Sequence, residues 1–482
     1  MAVASPDPRR WLALAILCVA QFIVILDTSI VGVALPAIQE ALGISQSGLQ
    51  WVFNAYVIAF GGLLLLGGRL ADLFSPRRLF MAGFSVLAGA SLLTGIAASE
   101  SVLLTGRALQ GVGAALIAPA ALSLVMSLFG ARPDELSKAL GVWGAAAAAG
   151  GTAGVFLGGV ITEWLSWRWT FLINVPLALV VLALSPLLLR PSTARRGSID
   201  FPGALVVTGA LVLAVYAIVT ANDAGWASAR TILLLALAVG LFGAFVTLQS
   251  VRSEPLVPLR IFRSPNLLAG NTIMALLGAA WIPLWFFLNL YLQQVLGYGA
   301  FESGLALLPM TVAIMLLMIG VTARLIGRFG FKANLVIGLG LLGGALALFA
   351  LTPTEGSFIA HVLPASLLAA VGMSLSYIPA VIAGTSSAKP EELGLASGLI
   401  NTAYQVGSAF GLALMTAFAT SRTSARLAGG VPNLAALNSG FHAAFIGAAV
   451  IAIAGALLTL VWLRQPSAGA IPAAPDQAAL QQ

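Results

Sequence analysis

The sequence predicts an all-α integral membrane protein: two six-helix bundles plus two extra helices, fourteen transmembrane helices in all. Three observations predict it. Of 482 residues, 60% are hydrophobic and only 8% charged, against about 25% charged in a typical soluble domain. Mean hydropathy is +1.02, which implies more apolar surface than a soluble core can absorb. Finally, the apolar stretches are long and regularly interrupted, and a short loop motif recurs in the second half of the chain.

A helix needs roughly 20 apolar residues to cross the hydrocarbon layer. Between charged or Pro/Gly-rich breaks, candidate spans lie near 11–36, 49–69, 78–98, 101–127, 138–162, 168–190, 201–221, 229–250, 267–295, 303–324, 331–352, 358–384, 396–419 and 441–464. The first follows Arg9 and Arg10, as a secretory signal would. It runs on to Pro36, however, without a small-residue cleavage site and a polar start beyond it, so it reads as an uncleaved span.

Positive charge tests this count. With the N-terminus in the cytoplasm, eighteen of the 23 Lys and Arg residues fall on the inner side. Four, Arg168, Arg230, Arg422 and Arg426, fall on the outer side, and Arg107 lies inside a span. The asymmetry places both termini in the cytoplasm. It also explains a net charge of +7 and a pI near 10.1: the basic residues face anionic lipid headgroups, and no nucleic-acid partner is implied. The single cysteine, Cys18, excludes an internal disulfide framework and reads as a small apolar filler.

"GRLADLFSPRR" (Gly68–Arg78) and "ARLIGRFGFK" (Ala323–Lys332) share an Arg-Leu pair, a Phe four residues after that Leu, and a basic end. They follow spans two and ten. With spans seven and eight set aside, each follows the second span of a six-helix set. The expected organisation is therefore an N-terminal bundle at 11–190, two linker helices at 201–250, a C-terminal bundle at 265–464 and a disordered cytoplasmic tail at 465–482. Two related bundles with a site between them is the plan of many secondary transporters. Short helix-connecting loops that merely collect Arg and Gly are the plain alternative.

Several motifs, in order, resemble the fourteen-helix drug:proton antiporters of the major facilitator superfamily, the EmrB/QacA type. They are "LDTSIVGVALP" in the first span, "WVFNAYVI" (Trp51–Ile58), "GRLADLFSPRR", "RALQGVGAALIAP" (Arg107–Pro119), "GVFLGGVITEWLSWRWTFLINVP" (Gly154–Pro176) and "GLASGLINTAYQVGSAFGLAL" (Gly394–Leu414). The resemblance covers Trp11 to Arg464. The chain departs from it at Gly32, Leu73, Ser75, Val155 and Tyr404. Val155 stands where the antiporter motif usually has Pro, which leaves an uptake symporter open. The resemblance implies a proton-driven carrier in a bacterial inner membrane.

Asp27 is the only carboxylate near mid-membrane and Arg107 the only base there. Intramembrane acids are costly and usually face a cavity or a partner. Asp27 is thus the candidate site for the coupling proton, tuned by Arg107; a fixed structural ion pair is the alternative. Gly68, Asp72, Arg77 and Arg78 form a candidate latch at the inner end of span two. Gly150, Gly154, Gly158 and Gly159 give a helix with little bulk, suited to close packing and to a rocking seam. Candidate substrate contacts are Trp285, Asn289, Tyr291 and Gln293 on span nine and Asn401, Tyr404 and Gln405 on span thirteen: aromatic walls with a few amides suit an apolar ligand. Trp281 reads as an interfacial anchor.

His361 and His442 fall near outer span ends, and there is no HExxH, no Cys/His metal spacing and no Walker A motif. The expectation is a non-enzymatic, cofactor-free monomer that uses protons and not ATP. It would export hydrophobic or amphipathic small molecules such as antibiotics; one endogenous metabolite or lipid is the second candidate cargo.

Overall fold

The computed structural model describes residues 9–129, 133–189, 200–252, 255–385 and 393–463. The expected tail at 465–482 lies outside them. Among the described residues a helix occupies each of the fourteen expected places, and twelve helices are long and apolar enough to cross a membrane.

The breaks in the sequence become helix ends. α1 (Arg10–Leu42) stops at Gly43, whose φ of 65° lets its N–H return to the Gln39 carbonyl, a left-handed stop that glycine adopts without strain. α2 (Gln46–Leu73) starts at Ser45, whose hydroxyl accepts from the Gly48 N–H. α3 (Pro76–Gly95) has proline in its first turn, where the missing N–H costs nothing. α4 (Glu100–Phe129), α5 (Pro133–Trp164) and α6 (Trp169–Leu188) complete the first bundle. α7 (Phe201–Ala224) and α8 (Ala229–Val251) form a hairpin, capped by Asp200 and Ser228.

The second bundle comprises α9 (Pro265–Val295), α10 (Ala300–Thr322), α11 (Ala323–Phe349), α12 (Phe358–Thr385), α13 (Leu393–Ala428) and α14 (Asn433–Trp462). The chain reverses inside the α11 range at Gly330, with φ 75° and ψ 170°. This turn matches the break at Phe74–Ser75 between α2 and α3. Phe74 and Phe329, the shared Phe of the two motif copies, are both half exposed. The repeat in the sequence is therefore a repeat in structure.

Within the bundles, α1 lies on α5, α2 and α3 on α4, α9 on α13, and α11 on α12 and α14. The bundles meet along two seams, α2 with α13 and α5 with α10. In both, the second helix of one bundle faces the fifth of the other, as a pseudo-two-fold axis requires. We call the end carrying Arg10 proximal and the end carrying Leu42 distal. One apolar cluster runs from the distal halves of α1 and α2, through Val33, Leu35 and Phe53, into the second bundle at Phe286 and Phe287. The proximal half of the first bundle has a separate core around Leu17, Phe80 and Phe84. The two bundles are thus fused at the distal end.

Hydrogen bonds across that end agree. Gln293 Nε2 donates to the Val33 carbonyl at 3.0 Å, Gln294 Nε2 to Gln39 Oε1 at 2.9 Å, and the Ala300 N–H to Glu163 Oε2 at 3.0 Å. The outer faces are apolar: on α8, Ile232, Leu233 and Val239 are 56%, 68% and 72% exposed, as a lipid-facing helix requires.

α5 forms both a seam within its bundle and one between bundles. Its glycines on the packed faces leave no room for side chains. A Cβ at Gly150, Gly154 or Gly158 would meet the Phe22, Leu26 or Ile30 carbonyl of α1 at 2.5, 3.0 or 2.7 Å. On the adjoining face, one at Gly159 would meet the Ala300 carbonyl at 2.8 Å, and one at Gly304 would meet the Val155 carbonyl at 2.8 Å. Gly158→Leu is therefore expected to force α1 and α5 apart and destabilise the chain by about 1–3 kcal/mol. Gly144→Ala, where a Cβ meets nothing within 4 Å, should be neutral or slightly stabilising. Thermal unfolding of the two purified variants, read by intrinsic fluorescence, checks this; equal midpoints would refute the packing argument.

Candidate functional site

Asp27 lies in the middle of α1, and its side chain is fully buried. Two apolar bundle faces cannot hold a bare carboxylate, because an unpaired buried charge costs several kcal/mol. The surrounding helices answer that cost one by one. From α4, Arg107 Nη1 donates to Asp27 Oδ2 at 2.7 Å. Three residues further along α4, Gln110 Nε2 donates to Oδ1 at 3.0 Å. From the first turn of the long part of α6, Asn174 Nδ2 donates to Oδ1 at 2.6 Å.

The partners are themselves tied down. Arg107 Nε donates to the Val52 carbonyl of α2 at 2.9 Å, and Nη1 also reaches Gln110 Oε1 at 2.9 Å. Gln110 Nε2 spends its second hydrogen on Ser91 Oγ of α3 at 2.8 Å. The guanidinium lies 4.6 Å from the Tyr56 ring centroid and 5.7 Å from that of Phe171, within the range of cation–π attraction. Asp27, Ser91, Arg107, Gln110 and Asn174 are all fully buried. One carboxylate thus joins α1, α4 and α6 directly, and α2 and α3 through Arg107 and Gln110.

Small residues make this approach possible. A Cβ at Gly111 would run into the Tyr56 carbonyl, and one at Gly106 into Thr94. The glycines that accompany Arg107 in the sequence bring α2 and α3 close enough for it to span them.

The residues expected to contact cargo divide into two groups. Trp285, Tyr404 and Gln405 are half-buried, and Asn289 is buried. Asn289 Nδ2 bonds the Trp285 carbonyl at 3.0 Å and lies 3.4 Å from the Cβ position of Gly32 on the opposite bundle; its Oδ1 has no partner. Tyr404 meets the Tyr377 ring edge-on at 5.8 Å. Gln405 packs across the α2–α13 seam against Gly61. Asn401 is exposed, further toward the proximal end.

Tyr291 and Gln293 are placed otherwise. Tyr291 is fully buried and its hydroxyl donates to the Pro353 carbonyl at 2.7 Å, while Gln293 joins the bundles at Val33. Both belong to distal closure. Trp281 is a correction: at 6% exposed it is a core residue against Trp285, 6.2 Å between rings, and not an interfacial anchor. In the latch, Gly68 and Arg77 are half-buried and Arg78 is exposed; the side chain of Asp72 lies outside the described residues. Among the described residues no cluster of three or more His, Cys, Asp or Glu suits a metal ion.

Paired bundles of long apolar helices, with a buried charge network in one and an aromatic and amide wall in the other, define a membrane carrier. Residues 17–412 match the sequence profile of the Major Facilitator Superfamily, and the chain belongs to that superfamily. It is a transporter-family protein, not an enzyme. It is 39% identical over 470 residues to the "Puromycin resistance protein pur8" of Streptomyces alboniger, covering 95% of this chain and 92% of that one. It is also 39% identical to the "Cephamycin export protein CmcT" of Amycolatopsis lactamdurans, over 93% and 92% of the two chains. The "Tetracenomycin C resistance and export protein" of Streptomyces glaucescens is 34% identical over 86% and 77%. In backbone, the chain resembles an auto-inhibited POT-family peptide transporter, with a TM-score of 0.67, 17% identity and coverage of 97% and 99%, a likeness of fold alone.

Removing one member of the buried pair leaves the other uncompensated. Arg107→Ala is expected to cost about 3–5 kcal/mol. Arg107→Gln combined with Asp27→Asn should recover most of that loss, because two amides can hydrogen-bond without charge. Unfolding midpoints of the full chain in detergent decide it. A double variant no more stable than Arg107→Ala would show that the charges are not coupled.

Proposed function

We propose that this protein is a proton-coupled exporter of hydrophobic or amphipathic small molecules of the antibiotic type. It would work by alternating access of the two bundles. The observation that carries the coupling is Asp27: one fully buried carboxylate in the centre of an apolar helix, in a network that must rearrange if it gains a proton. Export and cargo type rest on relatives named for puromycin resistance and for cephamycin export.

The mechanism follows from the geometry. With both termini in the cytoplasm of a bacterial cell, the distal end faces outward, and the arrangement is closed to the outside. Cargo enters from the proximal side and meets Trp285, Asn289, Tyr404 and Gln405. Their rings and neutral amides hold a bulky apolar molecule without demanding one orientation. Protonation of Asp27 removes the negative end of the Arg107 pair, so the donors from Gln110 and Asn174 lose their ionic acceptor. That change relaxes the join between α1, α4 and α6, and lets α1 shift against α9 where Gln293 and Gln294 close the distal end.

Opening would proceed about the glycine seams of α5, with Gly150, Gly154 and Gly158 on α1 and Gly159 against α10. Gly68, Asp72, Arg77 and Arg78 act as the cytoplasmic latch, with a second copy at 323–332. One monomer suffices for the cycle, and ATP has no place in it. A second reading has specific support: the three relatives described above are each named for one antibiotic, which favours a single product as cargo, whereas another relative, 32% identical, is named a multidrug resistance protein.

Accumulation of radiolabelled puromycin in energised cells expressing the chain tests the proposal. Wild type should lower accumulation several-fold, and a protonophore or Asp27→Asn should abolish the difference with the variant still present in the membrane. Undiminished export by Asp27→Asn would sink the coupling role of Asp27. No effect of wild type on puromycin or on a cephamycin would sink the antibiotic-type cargo.

A further inference from the structure

Asn174 is the side chain in the Asp27 network whose bonding is incomplete in a way that matches a change of protonation. Its Nδ2 lies 2.6 Å from Asp27 Oδ1, while its Oδ1 is buried and has no hydrogen-bond partner. An ionised carboxylate accepts only, so the amide must present its nitrogen. A protonated carboxyl carries one O–H that needs an acceptor, and a buried donor left without one costs free energy.

Among the side chains that hydrogen-bond Asp27, the other two cannot supply that acceptor without loss. Gln110 Oε1 already accepts from Arg107 Nη1, and both hydrogens of Gln110 Nε2 are used, on Asp27 and on Ser91. Turning that amide would break three bonds. Arg107 has donors only. Asn174 gives up a single hydrogen bond when its amide turns over, and the turn brings its vacant Oδ1 to Asp27.

We infer that Asn174 is a positioning residue for the coupling proton: it donates to Asp27 when the carboxylate is charged and, by rotation of its amide, accepts from Asp27 when it is protonated. This role rests on the reading of Asp27 as the proton site. The step itself is simple. A hydronium ion gives its proton to Asp27 and leaves as water; the hydrogen bond from Asn174 Nδ2–H to the carboxylate breaks, and a hydrogen bond from the new Asp27 O–H to Asn174 Oδ1 replaces it. Arg107 keeps its charge throughout.

The groups facing Asp27 are few. Arg107 comes from α4 and Tyr56 from α2, beneath the guanidinium. α3 brings Ser91 through Gln110, and α6 brings Asn174. α9 contains no charged residue, and the acids and bases of α5 and α10 lie at the helix ends. The pH response of the site therefore reports Asp27 without a second carboxylate to confuse it.

The test reads protonation directly, apart from transport. Infrared difference spectra of the full-length protein in detergent follow the carboxylic C=O stretch as pH falls, with Asp27→Asn identifying the Asp27 band. Asn174→Leu takes a charge-assisted donor from the ionised form but only a neutral acceptor from the protonated form. Charge-assisted bonds are roughly twice as strong, so the midpoint of the band should move upward by about one pH unit. Asn174→Ser, whose hydroxyl both donates and accepts, should return it to within about half a unit of wild type.

A monodisperse Asn174→Leu protein with an unchanged midpoint would overturn the inference, since the amide would then make no difference between the charged and the protonated carboxyl. If Asn174→Leu does not fold, the Ser variant stands alone: it upholds the inference by keeping the midpoint and overturns it by moving it a full unit. A wild-type band that persists in Asp27→Asn would remove Asp27 as the proton site, and the role of Asn174 with it.

Discussion

The buried pair of Asp27 and Arg107 is the constraint on which the first bundle depends. Neither charge reaches water, and their attraction offsets desolvation only while the geometry is held and the spare hydrogen-bonding capacity is met. Gln110, Asn174, Ser91 and the Val52 carbonyl meet most of it, from four different helices. The register of α1 against α4 and α6 is thereby fixed. Apolar side chains alone would tolerate a slip of one helix along another; a carboxylate with three donors does not.

The second bundle is built on a different principle. α9 carries no charge at all, and its wall is aromatic: Trp281, Trp285, Phe286 and Phe287, with Tyr377 and Tyr404 across from it. The division of labour is physical. A proton site needs fixed polar partners, whereas a surface for bulky apolar ligands needs rings that adapt, with few directional demands. Under the proposed function, placing each in its own bundle would let the seams between them, α2 with α13 and α5 with α10, carry the motion without either chemistry being cut in two.

Much of this was legible in the sequence, for definite reasons. Helix positions followed from apolar length and from the charged or Pro/Gly-rich breaks between the apolar stretches. Asp27 and Arg107 stood out because a charge in an apolar stretch is rare enough to demand a partner. The pairing of the α5 glycines with α1 was foreshadowed only as close packing. Asn174 escaped the list of candidate site residues because a single amide after an apolar run carries no periodic signal, and its partner is 147 positions away. Gln293 was assigned to the cargo wall because it lies four and eight residues after Asn289 and Trp285, and Tyr291 as its neighbour. A π turn at Tyr291–Val295 re-aims them toward Pro353 and Val33, and a single irregular turn is invisible to a pattern based on regular helix.

The linker helices show how a feature without a sequence rationale acquires one from packing. Asp200, 1% exposed, caps α7 at the Gly203 N–H, takes Gln249 Nε2 at 2.6 Å and pairs with Arg252 Nε at 3.4 Å. Gln249 Oε1 then accepts from the Val257 N–H at 3.0 Å, in the segment that leads into α9. The base of the hairpin is thus locked to the entry of the second bundle. Its body lies against α13 of the second bundle and α2 of the first, where Thr208 is 2.8 Å from the Cβ position of Gly62 and the Tyr216 ring 6.5 Å from that of Trp51. Ala204 and Phe245 share an apolar cluster with Leu66 of α2 and with Ala396 and Leu399 of α13. The hairpin therefore covers one of the two seams from the lipid side. A hydrogen-bonded base does not stretch, whereas an apolar face slides at little cost. Relative movement of the bundles along this seam must then pass through the contact of α7 with α2, where Gly62 removes the side chain that would catch on it.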